Sequence, residues 1–209
     1  MDYDGSTGKI PESVTARGIV DRPTGMERAR ASRQRLQDAA SRALRRMDQL
    51  TGGHFLVMGL ASRAAGLHDG AVHGLETDNP FVTYTLLRSY AENAAAVLYA
   101  TDHPNQLDRI LGMGDSYPIR VGTITNYAEQ GSKRFGTFKS MHDDLSQFAH
   151  PMSRSIFAST RPDGENGFHW SLEPAFKYDA DFLVACSLVV ELAEVNAHLL
   201  VKYADAQGW

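Results

Sequence analysis

The chain has 209 residues, 43% of them hydrophobic and 22% charged, with a formal net charge of −4 and a single cysteine. A chain of this length and composition is enough for one globular domain and argues against wholesale disorder. One cysteine excludes an intramolecular disulfide and a thiolate zinc cage. The opening Met1-Asp2-Tyr3-Asp4-Gly5 has neither a basic nor an apolar signal region, and the strongest apolar run, Phe182 to Val190, stops at Glu191. A cytoplasmic protein with no membrane association is therefore expected.

Charge is unevenly distributed. Residues 1–63 hold eleven Lys+Arg against seven Asp+Glu, whereas residues 64–209 hold ten against eighteen. Ten of the 16 arginines precede residue 64. A basic first segment suits a phosphate or an acidic partner surface, but the whole chain is not a general polyanion binder.

Residues 1–23 lack apolar periodicity and carry Gly5, Gly8, Pro11, Gly18 and Pro23, so they read as a flexible arm ahead of one domain over 24–209. Thr24-Gly25-Met26-Glu27 has the form of a capping box. The helix it opens carries an apolar stripe at Leu36, Ala40, Ala43, Met47 and Leu50 and ends at Gly52-Gly53. A second helix is expected from His54 to Leu67, running out at Gly66, Asp69 and Gly70. The third is the clearest: Asp78 or Asn79 caps it, Pro80 suits its first turn, and His103-Pro104 stops it after Asp102. Shorter helices follow over Asn105 to Leu111 and Ile119 to Glu129. Gly131 to Gly136 reads as a loop, and a helix from Thr137 to His150 ends at Pro151. Ser155 to Thr160 and Phe168 to Leu172 alternate like two strands about Pro162-Asp163-Gly164, and Phe176 to Ala204 is one long helix. The resulting fold class is all-α, an antiparallel helical bundle with a β-hairpin insertion near 155–172.

Two sets of polar residues stand out. Tyr84, Arg88 and Glu92 step by four along the third helix, where an Arg–Glu pair among apolar neighbours marks a paired seam or a polar pocket. His142, Ser146 and His150 step by four beside the core stripe of Phe138, Met141, Leu145 and Phe148. His150 lies at a helix C-terminus and, given a fixing partner, has the chemistry of a general acid or base.

Glu191, Glu194 and His198 add ligand types on the last helix, but Glu194 and His198 are four apart where a di-iron bundle uses Glu-x-x-His. No metal centre and no cofactor is expected. Arg28, Arg35 and Arg42 recur every seven residues with Arg45 and Arg46 close by, a stripe for RNA or a partner, or a solvated face with Asp38 pairing Arg35 and Arg42. Walker, dinucleotide-binding and nucleophile-elbow motifs are absent.

Arg88-x-x-x-Glu92, Asp102, Pro104, Arg109 and the later Leu145-Ser146…His150 resemble a group of uncharacterised helical bacterial proteins, well represented in actinobacteria. That group is distantly similar to the HEPN superfamily, helical bundles that include RNA-cleaving toxins and antiviral effectors as well as non-catalytic members. The resemblance implies a homodimer in a regulatory, toxin-associated or phage-defence setting. The HEPN nuclease signature, Arg followed after four to six residues by His, fits here only Arg63 to His68. Two functions are expected from these readings. One is a non-enzymatic module that binds protein or RNA through Arg35, Arg42 and Arg46, with Tyr84, His142 and Ser146 as further binding residues. The other is a HEPN-like ribonuclease with His150 as acid/base and Arg88 and Glu92 beside it.

Overall fold

A computed structural model describes residues 9–45, 49–113, 117–131, 138–163 and 167–209. Among them, four long helices form the bundle: α2 (Arg22–Ala43), α3 (Gly52–Glu76), α4 (Pro80–Asp102) and α9 (Asp179–Ala206). A fifth, α7 (Phe138–Ala149), lies along α4. Short helices α1 (Glu12–Thr15), α5 (Leu107–Leu111), α6 (Val121–Asn126) and α8 (Ser153–Ile156) complete the helical set, with a 3₁₀ turn at Pro104–Gln106 and a π turn at Tyr127–Gly131.

Helix α9 is the centre. It packs on α2, α3 and α4, and every residue from Phe182 to Val190 is buried, so it is apolar all round rather than striped. By length and composition α9 as a whole could cross a membrane, longer than the run ending at Glu191 indicated, yet 67% of its most apolar window is buried inside the bundle. Such burial is that of a core helix. Close approach to α2 is set by Gly25, where a Cβ would lie 3.0 Å from Cys186 Sγ. Burial pushes the Cys186 thiol up to about 12, which leaves it a small hydrophobe and not a nucleophile. A buried amide pair ties three helices: Asn93 Nδ2 donates to Asn196 Oδ1 (2.9 Å) and to Leu60 O (3.2 Å), and Asn196 Nδ2 donates to Leu192 O (2.8 Å).

Several sequence expectations shift for identifiable reasons. Residues 1–8 lie outside the described residues, but from Pro11 the expected arm is docked, with Val14 and Ile19 fully buried. Helix α2 starts three residues early: Asp21, not Thr24, is the cap, its carboxylate accepting from Thr24 N (2.8 Å) while the Thr24 hydroxyl accepts from Asp21 N (3.2 Å). Its buried face is Gly25, Ala29, Ser32, Leu36, Ala39 and Ala43, and Leu50 is exposed beyond its end. Met47 lies outside the described residues.

Helix α3 runs nine residues past Leu67, because its late glycines are packing notches rather than breaks. A Cβ on Gly70 would meet Leu86 Cδ1 at 2.8 Å, and one on Gly74 would meet Thr83 Oγ1 at 2.5 Å. Helix α4 matches its expected bounds, with Asn79 Oδ1 accepting from Val82 N (3.1 Å). Asp78, at φ 52°, takes the left-handed turn that reverses the chain between α3 and α4.

The loop expected at 131–136 lies outside the described residues except for Gly131, which closes the π turn. Near 155–172, Ser155 and Ile156 belong to α8, so the first strand is shorter than expected. What pairs is Thr160–Asp163 (β1) antiparallel to Gly167–Trp170 (β2), with Pro162 opposite Phe168, and residues 164–166 lie outside the described residues. Phe168, Trp170 and Leu172 are all exposed.

Candidate functional site

Helices α4 and α7 and the π turn converge on a cluster of charged side chains. Arg88 and Glu92 stand one turn apart on α4, on the flank that α7 covers. Helix α7 is oriented by Phe138 and Leu145, both buried, which set His142 against that flank. His142 also lies parallel to the Phe138 ring, at 5.5 Å between centroids.

Arg88 is the hub. Its Nη1 donates to His150 Nε2 at 2.7 Å, and its Nε lies 3.4 Å from Glu92 Oε1 and 3.5 Å from His142 Nε2. His142 Nε2 is 3.4 Å from the same Glu92 oxygen, while its Nδ1 faces Glu129 Oε1 at 3.7 Å. The hydrogen bond from His142 holds the Glu92 carboxyl below its ordinary value, against the opposing effect of burial, and the Arg88 charge adds to the lowering. His150 is exposed just past the end of α7, so the cluster opens to solvent on that side.

Arg88 therefore reaches both Glu92 and His150, the two residues expected to act with it, and His142 joins them. Ser146 does not. Its hydroxyl donates to His142 O at 2.6 Å, an i−4 bond that turns it onto its own helix. Tyr84 is buried away from the cluster, its hydroxyl donating to Asp181 O (3.1 Å) and its ring stacked on Phe148. Both act in packing.

Two arginines of the stripe are engaged within the chain. Arg35 pairs with Glu194 (3.3 Å) and Arg42 with Asp205 (3.6 Å), both on α9, whereas Asp38 accepts from Gln34 and pairs with neither. Arg46 lies outside the described residues. Glu191 and Glu194 also hold Arg17, and His198 is exposed, so the acidic residues of α9 serve the α1–α2 side and not the His142 cluster.

The Arg63-to-His68 motif does not form a site. His68 is 1% exposed; its Nε2 lies 3.0 Å from Ser32 Oγ and 3.1 Å from Ala29 O. Burial pushes its pKa down despite the nearby Asp69. Arg63 turns instead to Ser89 O at 3.4 Å.

Glu129 is the member of the cluster that sequence reasoning missed. It sits at the end of a segment read as an ordinary helix, and no periodicity marks it. Only the π turn, a wider coil than the helix before it, carries its carboxylate to His142. Comparison with known protein families, curated proteins and solved structures yields no match.

Proposed function

We propose that the Arg88–Glu92–His150 cluster is an acid–base site for cleavage of RNA phosphodiesters. The observation that carries this reading is the 2.7 Å contact between Arg88 Nη1 and His150 Nε2 at a solvent-open edge. A guanidinium can donate only, so His150 Nε2 presents its lone pair there, which is the form of a general base. Glu92 holds Arg88 from the other side through Nε. An arriving phosphate takes the Nη donors by bidentate, charge-assisted hydrogen bonds and frees His150 Nε2. His150 then accepts the proton of the ribose 2′-hydroxyl and the 2′ oxygen attacks phosphorus. The 5′ oxygen leaves and takes up a proton from water, giving a 2′,3′-cyclic phosphate and a 5′-hydroxyl end. Arg88 stabilises the charge that develops on the non-bridging oxygens.

Labelled total RNA and tRNA incubated with purified protein test this. Cleavage is expected to fall about 10²–10⁴-fold in His150→Ala, the usual range for loss of a general acid or base. A DNA strand of the same sequence, which lacks the 2′-hydroxyl, stays intact. Absence of cleavage by the folded wild-type protein, with and without divalent cations, overturns the reading.

A second reading, a non-catalytic module that binds a macromolecular partner, draws support from exposed Phe168, Trp170 and Leu172 on and after β2. It loses support at Arg35 and Arg42, whose charges α9 already answers.

A further inference from the structure

On the far side of His142 from Arg88, the structure gathers a second set of groups that the RNA reading does not use. We infer that Glu129, His142 and Asp143 form a binding site for a first-row divalent cation. Their ligand atoms, one from each residue, all lie within 4.8 Å of one another.

Glu129 is the most covered of the three. Its side chain is only 10% exposed, yet among the described residues its carboxylate accepts no hydrogen bond; its neighbours are His142 Nδ1 at 3.7 Å and Lys139 Nζ at 4.0 Å. A carboxylate so covered carries a desolvation cost that long ion pairs offset poorly. His142 sharpens the point. Its Nε2 lies between Arg88 Nε (3.5 Å) and Glu92 Oε1 (3.4 Å), while its Nδ1 faces the Glu129 oxygen at 3.7 Å. In the tautomer that carries its proton on Nε2, directed to Glu92, two lone pairs face each other across that gap and a cation between them stabilises both. A proton on Nδ1 can serve, but Asp143, next to His142 on α7, brings a second carboxylate to the same place, and that favours a metal ion.

Glu92 has the part that carboxylates commonly take behind metal-bound histidines, fixing the ring and its tautomer through the nitrogen that does not bind. The donor set, one imidazole nitrogen and two carboxylate oxygens, suits manganese, iron or zinc and leaves positions for water. Bond lengths of about 2.0–2.2 Å require the ligands to draw together. Asp143 is exposed and free to swing, whereas His142 and Glu129 are nearly covered and already face each other.

Lys139 is the competitor. Its Nζ lies 3.1 Å from Asp143 Oδ2 and reaches toward Glu129, and that pairing holds the lysine charged, its pKa raised first by Asp143. The ammonium thus stands where a cation would stand, on a side chain exposed enough to leave.

Titration of the full chain with Mn²⁺, followed by loss of the free-ion electron paramagnetic resonance signal and then by Zn²⁺ displacement, tests the site with no RNA present. One Mn²⁺ per chain is expected, released by Zn²⁺. Glu129→Gln and His142→Gln, checked for folding by circular dichroism, should each weaken binding roughly tenfold or more. Lys139→Met should tighten it, an effect that a general loss of folding cannot mimic. No binding by the wild-type chain at millimolar metal overturns the inference, as does binding that Glu129→Gln leaves unchanged. Because the readout needs no catalysis, failure here leaves the RNA reading standing, and loss of the RNA reading leaves this one.

Discussion

Two helix seams in this molecule each hold a histidine beside an arginine and a carboxylate, and they differ in what satisfies the ring. Between α2 and α3, His68 is sealed from solvent and meets a hydroxyl and a backbone carbonyl at 3.0 and 3.1 Å. Arg33 and Asp69 pair with each other at the surface above it, and Asp69 Oδ1 also lies 3.4 Å from His68 Nδ1. Between α4 and α7, the ring nitrogens of His142 meet charged groups among the described residues: Glu92 and Glu129 flank them at 3.4 and 3.7 Å, and Arg88 stands at 3.5 Å. Short contacts to neutral groups hold the His68 ring in place, and burial suppresses its charging. The first seam is sealed from solvent, and the second is lined by charged side chains and opens at His150.

That contrast is open to test. The largest stability effect is expected at His68. Its replacement by Ala leaves a cavity and removes a partner of both the Ser32 hydroxyl and Ala29 O, for a loss of about 2–4 kcal/mol in urea unfolding. His142→Ala, at a half-satisfied position, is expected to cost about 1 kcal/mol or less. The reverse ranking would break the comparison.

Next come the pH windows, which should separate the seams. Burial holds the folded-state pKa of His68 below its ordinary 6.5, so the unfolded chain binds the extra proton first. Its contribution is complete above 6.5 and declines as pH falls from there toward the depressed value. Glu92 is held below its ordinary 4.5, so its contribution persists above that pH and is lost as pH falls through the lowered value. Stability measured from about pH 7 to about pH 3 should lose the upper slope in His68→Gln and the lower one in Glu92→Gln. Both slopes vanishing together in either variant would mean the seams are not independent.

The smallest effects are expected on the α2–α9 face. Arg35→Ala and Arg42→Ala remove exposed ion pairs with Glu194 and Asp205 and should each change stability by about 0–1 kcal/mol. A larger loss would show that the arginine stripe matters to the fold as much as the His68 seam does.

Helix α4 was legible in the sequence to its end residues because its signals are local: Asn79 and Pro80 start it and Pro104 prevents its continuation. The long course of α3 was not, since Gly70 and Gly74 look like helix breakers until α4 is seen pressed against them. The same division runs through the site. Arg88 and Glu92, or His142 and His150, are spaced by helical turns and can be read as pairs along the chain. Placing one pair against the other depends on α7 docking on α4, a contact between segments about fifty residues apart that no local pattern encodes.

By itself, then, the amino-acid sequence determined that this chain is a helical bundle and which residues were chemically out of place in it, because apolar periodicity and uncapped charge are properties of neighbours along the chain. Only the tertiary structure decided which of those residues work together. It brought His150 and Arg88 to 2.7 Å, turned Ser146 and Tyr84 to packing roles, answered Arg35 and Arg42 with the acids of α9, and swung Glu129 in on a π turn. Electrostatic partnership depends on distance in space, and helix packing, not spacing in sequence, sets that distance.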